Sequence, residues 1–154
     1  LNIPAKIKKE SLDQIIEAFR HQSGRMPTFE DFLSGKGLNF FYCVLSGQDK
    51  CSLTNEEILL NYNTDAICLE VKESMNYLFA AYLRYVALAW GALGGVYLAG
   101  SITNSLLFDI DNSKFRQIFE DSETMNSLLK VTPIFRVKPQ DLGFRGALKL
   151  AREL

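Results

Sequence analysis

Two stretches of this 154-residue chain place residue types where chemistry is feasible. The first is Gly94-Gly95-Val96-Tyr97-Leu98-Ala99-Gly100-Ser101-Ile102. A short apolar run with a β-branched residue and an aromatic, bounded by glycines, reads as one buried strand. Gly100 then lets the backbone turn with no side chain to hold a ligand away. A strand that enters a Gly-Ser turn ahead of a helix can offer backbone N–H groups to a phosphate, a ribose or a purine. Buried strands that end in glycine are also common for packing reasons alone. The second stretch is Pro27-Thr28-Phe29-Glu30-Asp31-Phe32-Leu33-Ser34-Gly35-Lys36-Gly37-Leu38. Thr28 is placed to cap a short turn and Ser34 the next helix, while Gly35 and Gly37 keep the junction open. Read from the residues alone, it is a helical corner with Glu30 and Asp31 in solvent.

The remaining reactive residue types point away from catalysis. His21, the one histidine, falls in a last helical turn where a cation suits the helix dipole. Cys43, Cys51 and Cys68 are odd in number and lack metal-type spacing, so ordinary thiols are expected. A net charge of −1 with no long run of one sign argues against a nucleic-acid or polybasic membrane surface. With 47% apolar and 23% charged residues, the chain suits one globular domain with a real core. Between Tyr77 and Ala99 the one charge is Arg84. Gly91, Gly94 and Gly95 divide that run, and its helical part of about 14 residues is too short to span a bilayer. No signal-peptide pattern opens the chain at Leu1.

The elements that would position these stretches follow from periodicity. Ser11 and Gln14 have capping-box spacing ahead of a helix with Leu12, Ile15, Ile16 and Phe19 on one face, closed by Ser23-Gly24. A helix from Ser34 runs through Leu38, Phe41, Tyr42 and Leu45 to Gly47. Thr54 and Glu57 form a second capping box. A long helix over about Thr64–Trp90 carries Ile67, Val71, Met75, Leu78, Tyr82, Val86 and Ala89 as a stripe, widened by Phe79, Leu83 and Trp90. After the central strand come short helices at Thr103–Phe108, Ser113–Glu120 and around Leu128. A strand at Ile134–Val137 with Pro133 at its start precedes a last helix to Leu154. In the Ser113–Glu120 helix, Phe115, Ile118 and Phe119 make the packing face and Arg116 is expected to be exposed.

Four blocks in this order resemble bacterial glucokinases, members of the sugar kinase, heat-shock protein and actin superfamily. Gly94–Ile102 is similar to the family's Gly-Gly-Val-aromatic-Leu-Ala-Gly-Gly-Ile adenosine segment. Glu30–Leu38 is similar to Glu-x-x-Leu-Ser-Gly-Pro-Gly-Leu, in which the glutamate contacts a sugar hydroxyl. Ser113–Glu120 resembles Ser-x-Phe-Arg-x-x-Phe-Glu, and Leu142–Leu148 a glycine-rich ending. The resemblance implies a sugar contact at Glu30, whose carboxylate suits vicinal hydroxyls. It implies nucleotide contacts at Gly100, Ser101, Ser34 and Gly35. Lys36 stands in place of the family's proline, Ser101 in place of its second glycine, and Asn104 where proline is frequent.

The implied fold is α/β: a mostly helical C-terminal portion of a ribonuclease-H-like, actin-like ATPase lobe with few strands. Residues 1–154 would then be the C-terminal part of a longer two-lobed cytoplasmic protein that uses glucose, ATP and Mg2+. The family's catalytic aspartate and first phosphate loop lie in the other half. Asp13, Asp31, Asp49, Asp65, Asp109, Asp111, Asp121 and Asp141 all fall in cap, loop or surface-helix patterns. The chain alone is therefore expected to be inactive and to need its N-terminal lobe. Its two strands would extend a sheet built elsewhere, with helices on both sides. A sheet cut there leaves an edge and an apolar patch that invite a homodimer. A sugar- or nucleotide-sensing relative that binds without transfer, and a plain structural domain, are the alternatives.

Overall fold

The computed structural model describes residues 9–99, 112–137 and 141–153. Helix α1 (Glu10–Ser23) buries Leu12, Ile15 and Ile16 and stops at Gly24, which is left-handed at φ 71°. Its N-cap is Lys9, with no side-chain cap. The expected Ser11 cap is therefore absent. Ser11 already lies inside the helix, and its hydroxyl hydrogen-bonds Ser74 Oγ at 3.0 Å. Ser74 is fully buried, and the two hydroxyls supply each other's partner there.

Short helix α2 (Phe29–Phe32) leads directly into α3 (Gly35–Ser46), which ends at left-handed Gly47. Helix α4 (Asn55–Leu60) starts from the expected Thr54–Glu57 capping box and passes into a 3-10 turn at Asn61–Asn63. Helix α5 (Ala66–Trp90) runs through the core and is capped by Asp65, which accepts the N–H groups of Ile67 and Cys68. Its stripe is buried from Val71 through Met75 and Leu78 to Leu83 and Ala87. Trp90 departs from expectation and is 84% exposed. Ala89, the other expected stripe position in this turn, is exposed as well, so the stripe stops burying surface after Ala87. Arg84, the charge within this apolar half, donates from Nη1 to the carbonyls of Ile118 (3.0 Å) and Asp121 (2.5 Å). No helix among the described residues is long and apolar enough to cross a membrane.

Strand β1 (Val96–Leu98) pairs in parallel with β2 (Ile134–Arg136), in the register Val96–Ile134, Tyr97–Phe135, Leu98–Arg136. Between them, α6 (Ser113–Glu120) starts at an Asn112 cap and packs on α5, and α7 (Asn126–Val131) follows. β1 is not buried on both faces. Val96 and Leu98 enter the core, whereas Tyr97 is 66% exposed and stacks on Phe135 with ring centroids 4.9 Å apart. Tyr97 and Phe135 thus present an open face among the described residues. Gly95 holds φ 113° under this pair, and a Cβ there would lie 2.8 Å from the Phe135 ring. Helix α8 (Leu142–Glu153) is exposed along residues 143–152.

Candidate functional site

The corner between α1 and α3 is built by interlocking caps. Thr28 Oγ1 accepts the Asp31 N–H, while the Asp31 carboxylate accepts the Thr28 N–H and O–H, each at 2.7 Å. Arg25 closes the other side with a two-pronged pair to Asp31 at 2.8 and 2.7 Å. Asp31 is thus not a solvated carboxylate, as its position in the sequence suggests. Hydrogen bonds from the Arg25 guanidinium hold its pKa well below the ordinary carboxylate range, aided by Thr28. It therefore remains an ionised acceptor at neutral pH.

Ser34 performs the expected cap of α3. Its hydroxyl accepts the Gly37 N–H at 3.0 Å and donates to Asp31 O at 3.3 Å. Gly37 is pressed onto the preceding turn so closely that a Cβ would fall 1.9 Å from Phe32 O. Phe29 and Phe32 insert into the core, with Phe32 edge-on to Phe19 and Phe41. With Phe29 and Phe32 turned into the core and Asp31 turned back onto Thr28, Glu30 faces solvent in the first turn of α2. Among the described residues it makes no hydrogen bond or ion pair. Its carboxylate is thus free to accept from a ligand, on a backbone that cannot easily shift.

The start of α3 borders an open groove lined by Ser34, Gly35, Lys36, Asn39 and Asn55. Its floor is the N-terminus of α3, whose first N–H groups have no partner within the helix. Lys36 is exposed there, and Asn39 Nδ2 donates to Asn55 Oδ1. The Ser34 hydroxyl is engaged within the corner, so contact from Ser34 and Gly35 to a nucleotide would fall to their backbone. Glu30, Ser34 and Gly35 are brought together on one corner. Gly100 and Ser101, with Asn104 and the expected helix at Thr103–Phe108, lie outside the described residues. The strand that leads to them is described up to Ala99.

Other candidates stay apart from this corner. His21 is 80% exposed and 3.4 Å from Glu17. The three cysteines are free thiols, and burial pushes the Cys43 and Cys68 thiols up, away from a reactive thiolate. No group of three His, Cys, Asp or Glu suited to a metal ion occurs among the described residues.

Arg116 was expected to be exposed, and the structure overturns this. Its side chain is 28% exposed. It donates to Leu129 O (2.6 Å), Lys130 O (3.0 Å) and Thr132 O (2.8 Å), and it pairs with Glu120. The Arg116–Glu120 spacing was the one local signal of an ordered guanidinium, since its carbonyl partners lie beyond the helix.

The family model described as Glucokinase matches residues 3–154. The chain is 32% identical over 129 residues to a glucokinase of Chromobacterium violaceum, covering 79% of this chain and 37% of the relative. It is 28% identical over 148 residues to a glucokinase of Pectobacterium atrosepticum, covering 92% and 46%. A crystal structure of glucokinase from an Antarctic psychrotroph superposes with a TM-score of 0.77 at 20% identity. That match covers 99% of this chain and 49% of the other, and it extends the mostly helical fold with few strands to a solved protein. The chain spans less than half the length of these relatives. Within that span, this chain belongs to the glucokinase family.

Proposed function

We propose that the chain is the C-terminal part of the ribonuclease-H-like lobe of an ATP-dependent kinase that phosphorylates glucose to glucose 6-phosphate. The observation that carries this reading is Glu30: an exposed, unengaged carboxylate on a corner locked by Arg25, Asp31, Thr28 and Ser34, in a chain of this family. In this reading Glu30 accepts hydrogen bonds from sugar hydroxyls. The α3 N-terminus at Ser34–Gly35 and residues Gly100 and Ser101 bound the nucleotide. Mg2+ accompanies the nucleotide's phosphates and no residue of this chain is assigned to it.

Phosphoryl transfer also needs a base to orient the sugar hydroxyl. Asp31, consumed by Arg25 and Thr28, is unsuited to that role. The base belongs to the remainder of the kinase, and this chain by itself does not turn over. In this reading the remainder supplies further strands to the edges of the β1–β2 pair and covers the open Tyr97–Phe135 face, in a cytoplasmic enzyme.

Calorimetric titration of the chain with glucose tests the sugar contact. Saturable binding is expected, and Glu30→Gln is expected to weaken it by about tenfold or more, the effect of losing hydrogen bonds to a charged acceptor. Thermal stability should be unchanged, because Glu30 is engaged with nothing. Equal affinity in the two proteins would remove Glu30 from the site.

A further inference from the structure

A second face of α5 carries a pattern different from its core stripe. Leu69, Lys72, Glu73, Asn76 and Tyr77 recur at spacings of three and four, so they share one side of the helix. That side does not close completely on its neighbours, the 3-10 turn at Asn61–Asn63 and α6. A cavity of about 220 Å3 remains among them. None of its lining residues belongs to the Glu30 corner or to the groove at the start of α3.

Most of the wall is apolar. Phe115 forms a buried part of it, and Tyr62, Leu69, Tyr77 and Ile118 supply more. Three ammonium groups are set into this wall, those of Lys9, Lys72 and Lys114, with the one carboxylate of Glu73. Glu73 meets Lys114 Nζ at 3.2 Å and Lys9 Nζ at 3.6 Å. Lys9 is held further by Glu70 at 2.8 Å. Lys72 has no carboxylate partner among the described residues. Its ammonium rests on the Tyr62 ring, 3.4 Å from the centroid. A ring face attracts a cation but does not neutralise it. Three ammonium groups against two carboxylates leave one positive charge over, beside an apolar wall.

The type of cation narrows the class of anion. No arginine lines the cavity. A planar carboxylate is matched best by the planar guanidinium fork, whereas ammonium groups act as point charges and gather round a tetrahedral phosphate from several sides. The cavity is also smaller than the clefts that hold drug-sized ligands. We propose that it binds a small phosphate monoester with a flat, apolar body: Lys72 and Lys114 hold the phosphate, and Leu69, Tyr77 and Phe115 cover the body.

The test titrates the isotope-labelled chain with phenyl phosphate and follows its backbone amides by NMR. Saturable shifts are expected around Lys72, Asn76 and Lys114, with a dissociation constant on the order of 1 mM or tighter. Inorganic phosphate offers the charge alone, phenol the ring alone, and benzoate a planar anion. Each is expected to bind at least about tenfold more weakly. Lys72→Gln should weaken phenyl phosphate binding by about tenfold at an unchanged melting temperature. Lys114→Gln supplies the same reading if Lys72→Gln does not fold. Lys50→Gln, a change on an exposed loop, should bind as the wild type does.

The proposal is overturned if phenyl phosphate gives no saturable shift at millimolar concentration, or if Lys72→Gln binds it as tightly as the wild type. Inorganic phosphate of equal affinity would reduce the cavity to surface charge and overturn it too. Benzoate of equal affinity would overturn the assignment to phosphate. Shifts that cluster at Gly35–Asn39 would place the anion in the α3 groove instead and remove it from this cavity.

Discussion

Gly37→Ala is expected to destabilise the protein by about 3 kcal/mol or more, at the upper end for a single added methyl group. A Cβ at this position meets Phe32 O at 1.9 Å, Phe32 C at 2.5 Å and Phe32 Cα at 2.6 Å. All three are backbone atoms, so no side-chain rotation relieves the overlap. The corner would have to open, which pulls the Gly37 N–H off Ser34 Oγ and lifts Phe32 out of the core. Gly94→Ala is the control, since nothing lies within 4 Å of a Cβ there. Thermal melts should show a fall on the order of 10 °C for Gly37→Ala and little change for Gly94→Ala. A wild-type melt for Gly37→Ala would mean that α3 does not press on the carbonyl of Phe32.

Phe32→Ala removes the apolar anchor of the same corner and is expected to cost about 3–5 kcal/mol. The ring is fully buried. It lies edge-on to Phe19 at 5.4 Å and to Phe41 at 5.0 Å, and nearly parallel to Phe40 at 6.0 Å. Three aromatic neighbours from α1 and α3 cannot all collapse into the space it leaves, so a cavity remains. Denaturant unfolding measures the loss, and Phe32→Leu should recover part of it. A loss below about 1 kcal/mol would show that α2 is not held by this ring, and that Glu30 lacks the rigid platform assigned to it.

What was legible in the sequence is what is local. Thr28, Ser34 and Thr54 cap their helices because a cap is satisfied within three residues, and their partners are Asp31, Gly37 and Glu57. Gly24, Gly47 and Gly91 end helices for the same reason, as left-handed residues just beyond the last turn. Ser11 has the capping spacing too, yet its hydroxyl finds Ser74, 63 residues away, which no local pattern encodes. Trp90 sits on the stripe of α5 but at its exposed C-terminal end. Tyr97 reads as core by type, and its exposure follows from which face of β1 meets the helices. The Glu30 corner was visible as a motif, whereas its lock was not. Arg25 lies six residues from Asp31, outside any helical or capping spacing. Arg116 is the extreme case, since its carbonyl partners lie 13 to 16 residues ahead on another element.

We propose that this chain carries part of a kinase's nucleotide site at Gly100–Ser101. Calorimetric titration of the chain with ADP tests it most directly, with Gly100→Val measured beside it. Saturable ADP binding by the wild-type chain, abolished in a Gly100→Val protein that melts normally, is the predicted result. A folded wild-type chain that takes up no ADP, or a Gly100→Val protein that binds it equally well, would contradict the claim.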